Sequence, residues 1–203
     1  MKRIRVVIIG LAAFCAVSQA APLTPTITLI PADGNVSAPP GMAAGWGFTL
    51  TNKDMSDWVV LTGSSFTGST TYGSYVDYLS MPGAPLYVAG PPPESSTVTQ
   101  NWDATSNPPL GVGEFDINAT APPGASIPGD IIVHYSVFSQ DPNDPNFNPD
   151  TSTVVADATV QLPADITVSA VSTAAPEPAT FGLIFGAALP LMFWRSRSAK
   201  RRR

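Results

Sequence analysis

Proline and glycine interrupt the central part of the chain so often that no long helix fits between them. The 203 residues include 22 prolines and 16 glycines, and proline ends or kinks a helix. Between them lie short runs rich in Val, Ile, Thr, Tyr and Phe, which is typical of β-strands. Strands are predicted at residues 26–30, 46–51, 58–64, 75–79, 86–89, 97–102, 114–118, 130–139, 153–161 and 166–171. This pattern predicts an all-β fold, an immunoglobulin-like β-sandwich over residues 21–172.

The most regular of these predicted strands covers residues 131–138. Because side chains alternate along a strand, its residues divide into two sets. One face receives Ile131, Val133, Tyr135 and Val137, and the other receives Ile132, His134, Ser136 and Phe138. Both sets are largely apolar, which predicts a strand in the middle of a sheet.

One short pattern occurs twice. Residues 35–41 and 118–124 both read Asn-x-Ser/Thr-Ala-Pro-Pro-Gly, and each copy precedes a predicted strand by a few residues. The Pro-Pro-Gly part predicts a proline-stiffened corner that ends one strand and directs the next. The repetition is consistent with independent use of the same turn chemistry, and a duplicated half-domain is the alternative.

The N-terminus has the three parts of a secretory signal peptide over residues 1–20. Residues 1–5 are basic, residues 6–17 are apolar, and Ser18-Gln19-Ala20 supplies small residues before the cut. We therefore expect cleavage between Ala20 and Ala21. A permanent N-terminal membrane anchor is the alternative interpretation.

The C-terminal segment, residues 173–203, combines three features in a fixed order. Pro176-Glu177-Pro178 is followed by the uncharged run 179–194 and then by a basic tail. The basic residues are Arg195, Arg197, Lys200, Arg201, Arg202 and Arg203. Helical residues 179–194 would span roughly 24 Å, short of the ~30 Å hydrocarbon core, so this transmembrane helix would need local thinning of the bilayer. The basic tail would keep that end in the cytoplasm.

This C-terminal arrangement resembles the PEP-CTERM sorting signal of Gram-negative bacteria. The resemblance implies recognition near Pro176-Glu177-Pro178 by an exosortase, after transient anchoring in the inner membrane. It also implies delivery to the cell envelope surface or extracellular matrix, in association with extracellular polysaccharide. An ordinary tail anchor or a buried C-terminal helix would be the alternatives.

Removal of both terminal segments leaves a strongly acidic body. Residues 21–175 keep Lys53 as their only Lys or Arg and 14 of the 15 acidic residues, so their formal net charge, with His134 neutral, is −13. Such a body repels phosphates, which argues against nucleic acid and anionic lipid headgroups as partners. Cys15 would leave with the signal peptide, so no disulfide is expected in the mature chain.

The densest polar stretch, residues 141–150, contains oxygen ligands that suit Ca²⁺. The candidate ligands are Asp141, Asp144, Asn146, Asn148 and Asp150. The stretch departs from an EF-hand at Pro149, where that loop has Gly, and at Val155, where it has Glu. A stack of Asx and proline turns between two strands is the other interpretation.

Aromatic residues suggest a second binding chemistry. Tyr72, Tyr75 and Tyr78, together with Trp58 and Trp102, are candidates for a platform on which sugar rings stack. Tyr72 and Tyr78 would share one strand face and Tyr75 would oppose them. Packing within a β-sandwich is the alternative role for such residues.

Catalytic patterns are hard to assemble from residues 21–175. His134 lies within a predicted strand, and no Gly-x-Ser-x-Gly elbow is present. Glu94 and Glu114 are the only glutamates available to a glycosidase pair. The sequence therefore favours a non-enzymatic, exported structural or interaction protein without a cofactor, Ca²⁺ excepted. A carbohydrate-binding module and a secreted glycoside hydrolase are the alternatives.

Overall fold

The computed structural model describes residues 23–93 and 96–171, which contain β-strands and one four-residue helix. The elements are β1 (Thr26–Ile30), β2 (Asn35–Ala38), β3 (Ala43–Thr51), β4 (Trp58–Phe66), β5 (Gly73–Asp77), β6 (Val88–Ala89), β7 (Thr97–Gln100), β8 (Gly113–Ile117), β9 (Ser126–Phe138), α1 (Pro149–Ser152) and β10 (Thr153–Val168). The sandwich unit ends at Ser169.

The strands form two five-stranded sheets. Sheet 1 has the order β1-β3-β8-β5, and β7 pairs with the part of β3 that β8 leaves free. Sheet 2 has the order β2-β10-β9-β4-β6. All pairs are antiparallel except β2 and β10, which run parallel. The chain therefore changes sheets between β1 and β2 and again between β2 and β3.

The inward faces of both sheets supply one hydrophobic core. Trp46, Phe48 and Leu50 of β3 alternate with outward residues and are fully buried. Ile131 and Val133 of β9 meet them from sheet 2 and are also fully buried. Burial of each aliphatic side chain of this kind contributes about 1.5–3 kcal/mol. The predicted all-β sandwich is confirmed.

Several strands begin or end a few residues from their predicted bounds, and two differences are larger. Residues 35–38, predicted to lead into a corner, form β2 because Asp165–Val168 of β10 pairs with them in parallel. Residues 153–168 form a single strand rather than two. Pro163 is tolerated there because β2 begins to pair only at Asp165. Among the described residues, Pro163 therefore has a strand neighbour on one side only, namely β9.

The two Pro-Pro-Gly segments form equivalent turns, as predicted. The Met42 N–H donates to the Pro39 carbonyl and the Ala125 N–H to the Pro122 carbonyl, each at 3.1 Å. Gly41 and Gly124 have φ of 80° and 88°, as the third position of a type II turn requires. The segments before the two turns differ in structure. Residues 35–38 form β2, whereas residues 118–121 follow the end of β8. This favours repeated turn chemistry over a duplicated half-domain.

The predicted targeting segments fall outside the described residues. This applies to the signal peptide with its Ala20–Ala21 cleavage site, the 176–178 motif, the apolar run 179–194 and the basic tail. Within residues 23–93 and 96–171, no helix is long and apolar enough to cross a bilayer.

Candidate functional site

The outer face of sheet 1 carries six threonines in two rows across three strands. Register pairs Thr26 with Thr51 and Thr28 with Thr49 between β1 and β3. It also pairs Thr51 with Thr97 and Thr49 with Thr99 between β3 and β7. We call these six residues the threonine face. Four of them are exposed, and the two on the central strand are half-buried.

Hydrogen bonds between side chains orient this face. The Thr49 and Thr99 hydroxyls lie 3.2 Å apart, and the Thr51 and Thr97 hydroxyls lie 3.4 Å apart. Neighbouring strands are about 4.8 Å apart and alternate residues about 6.7 Å apart along a strand, so the hydroxyls form a regular grid. Each hydroxyl can donate one hydrogen bond and accept two. The grid therefore offers uncharged donors and acceptors on the surface of an acidic protein.

Trp102 lies beside the threonine face on the same side of sheet 1. Its indole rests against Gly45 of β3 so closely that a Cβ at that position would clash with the ring. Gly47, the next outward residue of β3, is covered by the backbone of residues 100–102. Glycine is needed at both positions because only hydrogen lets these groups approach. Trp102 itself is half-buried.

A polar cluster joins Trp102 to the neighbouring strands. Glu114 pairs with Gly45 in the sheet register, and Tyr78 follows β5 with only 3% of its surface exposed. Burial raises the pKa of the Tyr78 hydroxyl above its usual range, and the nearby Glu114 carboxyl raises it further. Trp102 Nε1 and Glu114 Oε2 are both buried, and neither has a hydrogen-bond partner among the residues that the structure describes.

The predicted tyrosine platform is not assembled on one exposed face. Tyr75 points between the sheets, where its hydroxyl lies 2.8 Å from Ser64 Oγ and its ring centroid 6.3 Å from that of Trp46. Burial raises the Tyr75 pKa above its usual range. Tyr78 is buried and Tyr72, just before β5, is half-buried. The reason is the alternation of β5, which directs Tyr75 into the core.

The candidate calcium loop uses its side-chain oxygens locally. Asp141 Oδ1 accepts from the Asn143 N–H at 2.8 Å, and Asp144 Oδ1 accepts from the Asn146 N–H at 2.7 Å. Asn148 Oδ1 caps α1 by accepting from the Asp150 N–H at 3.0 Å. In the part of the chain that the structure describes, no group of three His, Cys, Asp or Glu side chains is placed to hold a metal ion. The geometry matches the Asx-turn interpretation, and a calcium site stays a prediction.

His134 forms a pair with Asp157 on the outer face of sheet 2. His134 Nδ1 lies 2.9 Å from Asp157 Oδ1, and Asp157 has a φ of 49° at a bulge of β10. Ser136 Oγ accepts a hydrogen bond from the Asp157 backbone N–H at 3.4 Å, and not from the His134 imidazole. These three residues therefore lack the Ser–His contact of a hydrolytic triad. Of the two candidate glycosidase carboxylates, Glu94 lies outside the described residues.

Sequence reasoning did not find the threonine face, although a signal was present. The pattern Thr-x-Thr occurs at residues 26–28, 49–51 and 97–99, each within a predicted strand. Because alternate residues share a strand face, each pattern indicates two hydroxyls on one side. The pairing of β7 with β3 then aligns the three patterns.

Comparisons with known proteins add little to this geometry. No protein-family model matches the chain, and no curated protein matches it. A chain from the crystal structure of a CaDoc0917–CaCohA2 complex is similar over 71% of this chain and 100% of its own length. The identity is 18% and the TM-score 0.20. A TM-score of this size does not establish a common fold.

Proposed function

We propose that the chain is a non-enzymatic binding module of the cell surface or extracellular matrix, and that its threonine face contacts a neutral polysaccharide. The observation that carries this proposal is the in-register grid of six threonines on an otherwise acidic body. Polysaccharide hydroxyls both donate and accept hydrogen bonds, as threonine hydroxyls do. A neutral polymer also avoids the repulsion that a charge of −13 over residues 21–175 imposes on anions.

Trp102 extends this surface with an aromatic group. One side of its indole packs on Gly45, and part of the side chain remains exposed beside the grid. The apolar face of an aromatic ring suits the apolar faces of sugar rings. An extended polymer lying across β1, β3 and β7 would contact both the hydroxyls and the ring.

The proposed location depends on the terminal segments. A cleaved signal peptide over residues 1–20 would export the chain, and exosortase recognition near residues 176–178 would release it from the inner membrane. The finer fold assignment, immunoglobulin-like, is supported by strand order. The orders β1-β3-β8-β5 and β10-β9-β4 follow the A-B-E-D and G-F-C arrangement of that fold.

Affinity electrophoresis through gels containing soluble neutral polysaccharides tests the binding proposal. We expect retardation of the wild type and loss of most of it in the double variant Thr49→Val, Thr99→Val, because valine removes hydroxyls at nearly constant volume. The matched control is Thr159→Val, Thr167→Val, which changes two exposed threonines of β10 in sheet 2. Equal retardation of wild type and the Thr49/Thr99 variant would show that the grid is not the binding surface.

Intact-mass measurement of the protein from envelope and culture medium tests the sorting proposal separately. A species that starts at Ala21 and ends near Pro176-Glu177-Pro178 is expected. A membrane species that retains Arg203 would instead indicate a simple tail anchor.

A further inference from the structure

The repeated pattern is longer than the turn that it encodes. Both copies begin with aspartate two positions before the asparagine, so residues 33–41 and 116–124 read Asp-x-Asn-x-Ser/Thr-Ala-Pro-Pro-Gly. The Pro-Pro-Gly part is explained by the equivalent type II turns. The shared Asp-x-Asn-x-Ser/Thr part needs another explanation.

The fold does not require these first five residues to be alike, since their local structures differ. Asp33 accepts hydrogen bonds from the Asn35 backbone and side chain at 3.1 and 3.2 Å, and Asn35 begins β2 in sheet 2. Asp116 is a residue of β8 in sheet 1, and the Asn118 N–H donates to the Tyr72 carbonyl at 2.8 Å. The same sequence thus serves two different backbone arrangements.

Asn-x-Ser/Thr with a residue other than proline in the middle is the acceptor pattern for N-linked glycans. Between residues 21 and 175 it occurs only at Asn35 and Asn118. A carboxylate two positions before the asparagine can make a charge-assisted hydrogen bond with a basic side chain of a glycosyl-transferring enzyme. Both copies have that aspartate.

Both acceptor patterns lie on the protein surface. Asp33, Asn35 and Ser37 are exposed in the first copy, and so are Asp116, Asn118 and Thr120 in the second. Asn35 belongs to a four-residue strand at the end of sheet 2, and Asn118 lies directly after β8. By contrast Asn52, which lacks the pattern, is 1% exposed.

We infer that Asn35 and Asn118 are acceptors for a bacterial N-linked oligosaccharide, transferred from a polyprenyl-pyrophosphate donor. Asn Nδ2 would form a bond to the anomeric carbon of the first sugar and lose one proton to a base. The bond from that carbon to the pyrophosphate oxygen would break, and the lipid pyrophosphate would leave. In the cell this modification rests on the proposed export, since the Asn-x-Ser/Thr acceptor pattern is used in secreted proteins.

The test uses the purified full-length chain, a purified bacterial oligosaccharyltransferase and a polyprenyl-pyrophosphate-linked oligosaccharide, with intact mass as the readout. We expect two glycan masses on the wild type, one on Asn35→Gln and one on Asn118→Gln, and none on the double variant. Asp33→Asn and Asp116→Asn should each lower occupancy at their own site only. Asn143→Gln, an exposed asparagine outside the pattern, is the control and should keep both glycans.

An unmodified chain, in a mixture where a short Asp-x-Asn-x-Thr peptide is glycosylated, would overturn the inference. So would equal glycan content in the double variant and the wild type. Because this reaction is carried out on purified protein, it does not depend on export. Failure of export would be seen independently, as retention of residues 1–20 in protein recovered from cells.

Discussion

The indole Nε1 of Trp46 donates a hydrogen bond of 2.8 Å to the carbonyl oxygen of Gly34. Trp46 belongs to sheet 1, whereas Gly34 directly precedes β2 of sheet 2, so this bond links the two sheets where the chain changes between them. Gly34 has a φ of 70°, and a Cβ there would clash with the Pro163 carbonyl of β10. The Gly34 backbone is thus held between the largest core side chain and the strand that pairs with β2.

Trp46→Phe should lower the free energy of unfolding by about 2–4 kcal/mol. The change opens a cavity in the core. It also removes one of the two hydrogen bonds that the Gly34 carbonyl accepts, worth about 0.5–1.5 kcal/mol, and leaves the one from the Asp165 N–H at 3.2 Å. Urea unfolding monitored by far-UV circular dichroism measures the loss. Thr159→Val is the control, and as an exposed substitution it should change stability by no more than about 0.5 kcal/mol. If both variants lost a similar amount of unfolding free energy, the bond from Trp46 to Gly34 would not contribute measurably to stability.

Gly45→Ala should destabilise the protein by about 1–3 kcal/mol, because the new Cβ would overlap the Trp102 indole. The matched experiment is a double-mutant cycle with Trp102→Ala. Once the ring is gone, the same Gly45→Ala change should cost far less. Additive effects in the cycle would contradict a direct contact between the two residues.

The parts of this fold that the sequence predicts are those set by local alternation. The apolar face of β9 follows from the period of two at residues 131–138, and the turns follow from Pro-Pro-Gly. β2 could not be predicted in this way, since residues 35–38 become a strand only because Asp165–Val168, far along the chain, pairs with them. The grid depends similarly on long-range register, which places Thr97 and Thr99 beside Thr51 and Thr49. The direction of the Tyr75 side chain could not be predicted either, because it depends on which face of β5 packs against the core.

The loop at residues 54–57 should give the unfolding free energy a specific dependence on pH. Burial alone would raise the Asp54 pKa, but hydrogen bonds from Ser56, Leu23 and Asp57 outweigh it and hold the pKa below 3.8. A carboxyl whose folded pKa is depressed stabilises the fold above its unfolded pKa, and this contribution is lost as the pH falls through the folded value. Wild type should therefore lose more stability than Asp54→Asn when the pH falls from about 5 to below 4.

Asp57 provides a control of opposite sign for this experiment. Burial and the nearby Asp54 charge raise the Asp57 pKa, so its ionised form costs stability at neutral pH. Asp57→Asn should be more stable than wild type at pH 7, with the difference shrinking as the pH falls and Asp57 becomes protonated. Urea titrations of the three proteins at a series of pH values measure both trends. Parallel curves for wild type and Asp54→Asn would show that the hydrogen bonds to Asp54 do not act through its charge.

The loop at residues 141–150 allows the Asx-turn and calcium interpretations to be separated. Asp141, Asp144 and Asn148 already bond backbone N–H groups within the loop, so we expect equal melting temperatures in millimolar Ca²⁺ and in EDTA. Asn148→Ala should lower stability by about 0.5–2 kcal/mol in both buffers, because it removes the cap of α1. A bound ion at 100 times its Kd would instead add about 2.7 kcal/mol. An increase in melting temperature with Ca²⁺ that Asp144→Ala abolishes would therefore favour the calcium site over the turn stack.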